Sequence, residues 1–198
     1  MQNRTIFALV SAFTLLGCGG AQRTAHTPES DVAETHAETI HVPAGGDMHD
    51  FDFLAGEWTV ARRRLKVRGV GSQDWEEFVG TNKTAQYLGG MVSVEESVSP
   101  TKGSAGVTVN VFNPEKRQWS IYEIDGKAGK LEAPQVGSFS GNRGEFYGDD
   151  EDKGRPVKVR YIWLNLGPNA ARWEQSFSYD GGRTWETNRT STFTRAAR

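Results

Sequence analysis

From residue 50 to residue 195 the chain alternates short periodic runs of apolar and polar residues with Gly, Asn, Asp and Pro breakers. A period of two puts alternate side chains on opposite faces of a strand, so this pattern predicts strands and turns with little room for helix. About ten strands are expected, over 57–68, 74–87, 90–97, 105–113, 117–124, 136–140, 144–149, 156–166, 172–179 and 184–194. The turns between them are short, which favours a meander of antiparallel neighbours. Ten such strands either close on themselves or leave two long edges, and closure removes the unpaired edge groups. The expectation is an all-β, up-and-down antiparallel barrel, with a brief helical turn over 50–56 plugging one end.

Alternation also divides each strand into faces. Val107, Val109 and Val111 make one face β-branched and apolar, the expected inner side, with Thr108 and Asn110 opposite. In the long eighth run, Val157, Val159, Tyr161 and Trp163 share a face, while Lys158 and Arg160 oppose them. Ile162, Leu164 and Leu166 continue that second side as apolar residues. Further on, Trp173, Phe177 and Tyr179 oppose Arg172, Glu174, Ser176 and Ser178, whose polar face fits either solvent or a polar cavity.

The first 49 residues follow another rule. Arg4 precedes an apolar stretch over 6–16, interrupted only by Ser11 and Thr14, and too short for a membrane span. It ends at Leu15-Leu16-Gly17-Cys18, which resembles the lipobox of bacterial lipoproteins. That resemblance implies a signal peptide over 1–17, cleavage after Gly17, and a diacylglycerol thioether on Cys18 with fatty acylation (palmitate) of the new amine in many bacteria. Gly19 replaces the Asp that favours inner-membrane retention, so an outer-membrane anchor facing the periplasm is expected. Residues 18–49 have no aromatic side chain and no apolar period, and read as a flexible tether to a barrel domain over 50–198.

Composition narrows the chemistry. The formal net charge of −2 gives no broad basic face, so nucleic acid is not an expected partner. Cys18 is the single cysteine, which rules out an intrachain disulfide framework. The four histidines, His26, His36, His41 and His49, all precede the barrel, so a histidine-based triad, a histidine-ligated haem or a zinc site within it is not expected. No metal and no cofactor is nominated. The run 149–152 is acidic but lacks EF-hand spacing and reads as a solvated turn.

Local motifs add to this frame. Gly56-Glu57-Trp58 resembles the Gly-x-Trp that opens the first strand of the lipocalin and fatty-acid-binding superfamily. The resemblance implies a calycin-like barrel in which Trp58 closes the floor and an arginine, Arg195 or Arg189, packs across it. Ser178-Tyr179-Asp180-Gly181-Gly182-Arg183-Thr184-Trp185 resembles the Asp-box, read here as a hairpin stabiliser built on Asp180, Gly182 and Trp185. Across 50–195, the segments 49–58, 117–122, 144–150, 171–177 and 178–188 together resemble a bacterial family, the domain of unknown function family 1579. That resemblance implies a fold and no activity.

Six Trp and ten Phe exceed what the floor needs, and a barrel interior is where they are expected. Trp58, Trp119, Tyr161 and Trp163 are candidate ligand-lining residues, as are Trp173 with Glu174 and Trp185 with Glu186, both expected on neighbouring strands. Of the carboxylates on central strands, Glu76, Glu77, Glu95, Glu96 and Glu123, one or two are expected to point inward with raised affinity for a proton. The leading expectation is an envelope lipoprotein that binds a small apolar or amphipathic molecule. The alternatives are an interaction protein with a filled barrel, or a small enzyme using inward Glu and Arg. The interior decides: filled for interaction, apolar for carriage, a convergent carboxylate and arginine for an enzyme. Oligomeric state is left open.

Overall fold

The computed structural model describes residues 39–196. Ten antiparallel strands form a closed barrel: β1 (Gly56–Leu65), β2 (Trp75–Tyr87), β3 (Val92–Ser99), β4 (Ser104–Asn113), β5 (Gln118–Asp125), β6 (Gln135–Ser140), β7 (Arg143–Asp152), β8 (Arg155–Asn165), β9 (Ala170–Ser178) and β10 (Glu186–Arg195). Each strand pairs with the next, and β10 returns to β1 from Trp58↔Arg195 to Arg64↔Arg189. Closure leaves no edge among these strands. The all-β, ten-stranded, calycin/lipocalin-like expectation is met, with strand ends shifted by a few residues.

One end is solid. A 3₁₀ turn (Asp52–Leu54) crosses it, and Leu54 within it and Phe51 just before it are fully buried. The Phe51 ring meets Trp119 and Phe139 edge-on at 4.9 and 5.0 Å and stacks near Phe146. Gly144 is what lets these rings approach, because a Cβ there would lie 2.8 Å from both Phe139 and Phe146. Trp58 donates its indole N–H to the Leu54 carbonyl at 2.8 Å, tying β1 to the plug.

Packing starts ahead of residue 50. The amides of Gly45 and Gly46 both donate to the Arg117 carbonyl, and Trp119 donates to the Asp47 carbonyl. Residues 43–49, expected in the tether, therefore lie along β5 and the plug. The signal peptide, Cys18 and the rest of that tether, to residue 38, lie outside the described residues.

The faces of β4 are the reverse of the expectation. Asn110 is buried and Phe112 joins the core, whereas Val111 is among the exposed large apolar residues. Val109 and Val111 sit on the outer surface, while Val107 borders the mouth of the chamber, and β3 has Ser93, Glu95, Ser97 and Ser99 inward. Alternation separates two faces without saying which is inside, and β-branched residues suit either. The reason for the inversion is the other end of the barrel, which is polar within.

Candidate functional site

The open half of the barrel encloses a cavity of about 380 Å³. Its lower wall is apolar: Ile121, Trp163, Trp173 and Phe193 stand over the solid core. Its sides are polar, and charged residues line them: Arg64, Arg68, Lys102, Asp125 and Glu132, and four more that the strands carry. Arg62 comes from β1, Arg189 from β10, Glu95 from β3 and Glu123 from β5.

Arg62 shares a face of β1 with Trp58 and Val60, which fixes its direction inward. Its guanidinium donates to the side chains of Asn82 and Ser99, and to Ser97 Oγ at 2.8 Å. Gly80 makes room, since a Cβ there would run into Arg62 and the Val98 carbonyl. Burial pulls the Arg62 pKa down, opposed by the Glu95 carboxylate; the guanidinium nevertheless stays charged.

Arg189 reaches the cavity through an irregularity. Thr187 pairs with Ser176 and Arg189 with Gln175, so Asn188 is an extra residue in β10. Strict alternation from Thr187, which faces outward with Ser176, would send Arg189 outward too. The bulge turns it in, as bulges re-aim side chains elsewhere. Its guanidinium lies over the Trp173 ring at 5.7 Å.

Glu95 is 7% exposed, and burial pushes its carboxyl from 4.5 up to about 7, against the opposing pull of Asn82 and Arg62. Glu123 is raised for the same reason, with Arg189 and the Tyr161 hydroxyl acting the other way. Register sets Glu95 opposite Thr108 and Thr108 opposite Glu123, so the two carboxylates flank one residue of β4. Burial, then Glu123, raises Tyr161 well above its ordinary value, keeping the phenol neutral.

At the mouth, Glu76 takes Arg64 at 2.7 Å and Lys102, which hold its carboxyl below the usual range. Arg64 and Lys102 also lie over the Phe78 ring. Glu186, at the same end, accepts the amides of Gly69 and Gly71 at 2.6 and 3.0 Å. The loop between β1 and β2 is thereby strapped to β10, and Gly69 packs on Tyr179.

The candidate lining residues separate accordingly. Tyr161, Trp163 and Trp173 line the cavity. Trp58 and Trp119 are buried beneath it in the floor. Glu174 is on the outer face with Arg172 at 2.7 Å, and Trp185 is outside against Tyr147 and Arg160. Glu174 pairs across β9–β10 with Thr190, and Glu186 with Phe177, so the two carboxylates do not converge. Arg195, not Arg189, lies over Trp58 at 4.1 Å and donates to the carbonyls of Phe53, Ala55 and Pro168. In the Asp-box-like turn, Asp180 accepts from Ser178 Oγ and from the Thr184 amide and hydroxyl, which hold its carboxyl well below the ordinary range. Gly182 there has φ of +104°, a conformation that favours glycine.

Arg62 and Asn110 were not singled out in the sequence, although the parity of Arg62 with Trp58 carries the signal. Arg189 gave no such signal as a cavity residue, because the bulge breaks the parity. Among the described residues no group of His, Cys, Asp or Glu has metal-site geometry.

Fold and cavity together define a calycin/lipocalin-like closed barrel with a solid aromatic floor and a polar-walled upper chamber. No family model matches the chain, and no curated protein matches it.

Proposed function

We propose that this protein is a binding barrel of the bacterial cell envelope, anchored through a lipid on Cys18, that holds a small amphipathic molecule in the chamber. The observation that carries the reading is the composition of the cavity wall. An apolar floor at Trp163, Trp173 and Phe193 lies below Arg62, Glu95, Glu123 and Arg189 in one space of about 380 Å³. Sites of this size with a few convergent polar groups are the usual form of small-molecule pockets. The charged side groups disfavour a purely apolar cargo, which would leave them desolvated and unpaired. The chamber also disfavours a wholly filled barrel.

Native mass spectrometry of the protein purified from its host tests occupancy. A mass adduct lost on denaturation supports the reading; a bare protein that takes up no amphipathic dye removes it. The anchor has its own measurement. Cys18→Ser should move the protein from the membrane to the soluble fraction, and unchanged fractionation would count against the lipid.

A second reading, a small enzyme, is favoured by one feature: Glu95 has a proton affinity near neutrality and faces the same space as Tyr161 and Arg189. Incubating substoichiometric protein with a metabolite extract separates the two. Consumption of a metabolite beyond the molar amount of protein, abolished in Glu95→Gln, would establish turnover. Depletion limited to one equivalent would leave binding.

A further inference from the structure

Arg62, Glu95, Glu123 and Arg189 face one space, and no ion pair joins these four. Glu95 feels the charge of Arg62, and Glu123 that of Arg189, yet neither pair closes into a salt bridge. Buried charges are ordinarily paired and hydrogen-bonded. Arg62 instead gives its hydrogen bonds to neutral partners, Asn82, Ser97 and Ser99. Glu95 Oε2 and Asn110 Oδ1 have no donor in hydrogen-bond geometry among the described residues, although Asn82 and Thr84 stand beside the Glu95 carboxyl and both Glu95 and Asn110 are more than nine-tenths buried. Register puts Glu95 opposite Thr108 and Asn110 opposite Ser93, so the two unused acceptors lie on adjacent strands, two residues apart along the inner face. On β10, Arg189 spends its guanidinium on the Trp173 ring and makes no side-chain hydrogen bond to the described residues that line the chamber.

The chamber therefore offers unused acceptors on β3 and β4, an unused planar donor on β10, and an apolar floor beneath. Two guanidiniums, from β1 and β10, and two carboxyl groups, from β3 and β5, share this space. An occupant that is neutral overall but carries a cationic donor at one end and an anionic acceptor at the other matches both walls. A planar guanidinium suits a carboxylate through two parallel bonds.

We propose that the chamber takes a small zwitterion with an apolar side group, the class that apolar α-amino acids represent. Its ammonium lies on Glu95 and Asn110, its carboxylate on Arg189, and its side group over Trp163 and Phe193. This rests on the binding function proposed above and specifies its ligand class.

Isothermal titration of the full chain with L-leucine, L-phenylalanine and L-tryptophan provides the test. Each is measured beside its methyl ester, which loses the carboxylate charge, and its N-acetyl form, which loses the ammonium. Glucose and a hydrophobic dye complete the panel. The expected result is that at least one free amino acid binds and that both of its blocked forms bind tenfold or more weakly. Glu95→Gln should erase the difference between free and N-acetyl forms, and Arg189→Met the difference between acid and ester. If Arg189→Met does not fold by thermal unfolding, Arg189→Lys keeps the charge without the planar fork and is read for the same acid–ester difference. Blocked forms that bind as tightly as the free amino acid would overturn the proposal. So would variants that leave both differences intact. Uptake of glucose or dye without any amino acid would overturn the zwitterion and keep the binding function. No uptake of any probe, with no co-purified mass, would remove both.

Discussion

Glu95 carries the sharpest consequence at the scale of a single residue. Its folded-state carboxyl titrates near 7 rather than 4.5. Below the lower value both folded and unfolded chains hold the proton, and the group does not affect their balance. Between the two values the folded chain keeps a proton that the unfolded chain has lost, so stability falls as pH rises through this window. The full effect is roughly 3 kcal/mol, and Glu123, raised in the same direction, adds to it. Chemical denaturation of wild type should show stability declining from pH 5 to pH 7.5. Glu95→Gln should flatten much of that decline. A wild-type profile that rises over this range would contradict the burial of an uncompensated carboxylate.

At the scale of elements, two features separate what holds the barrel from what fills it. The seam between β1 and β10 is fastened by Arg195, which reaches three carbonyls and covers Trp58. Arg195→Ala should cost about 2–4 kcal/mol in unfolding free energy. Arg195→Lys should recover only part, because an ammonium cannot span three carbonyls as a planar fork does. The second feature is the inversion of β4. With Val109 on the outer surface, Val109→Thr should change stability by no more than about 0.5 kcal/mol. A loss of 2 kcal/mol or more, on the scale of a buried apolar position, would return that face to the core.

For the molecule as a whole, the barrel divides into a solid aromatic half and an open polar-walled half. The solid half converges on Phe51, whose ring meets Trp119, Phe139, Phe146 and Trp163. Phe51→Ala should destabilise by about 3–5 kcal/mol, read from urea unfolding. In protein that remains folded, ligand uptake in the chamber should persist, since Phe51 lies beneath it. Joint loss of stability and uptake in folded protein would show that the two halves are not separable.

Some of this was legible along the chain. The period-two runs and short breakers determined ten antiparallel strands, and the edge problem determined closure, because an unpaired strand edge is costly wherever it occurs. Local hydrogen bonding likewise made the turn at Asp180 readable, since its partners lie within four residues. The parity of Trp58, Val60 and Arg62 carried a signal for an inward arginine, although Arg62 was not singled out from it. Other features depended on tertiary structure. Alternation is symmetric between inside and outside, so the valines of β4 could not declare their side until the polar chamber was placed behind them. Arg189 entered only through the bulge at Asn188, a one-residue irregularity that parity cannot anticipate. The convergence of Glu95, Glu123, Arg62 and Arg189 required closure itself. These residues are separated by up to 127 positions along the chain and meet only because β10 returns to β1.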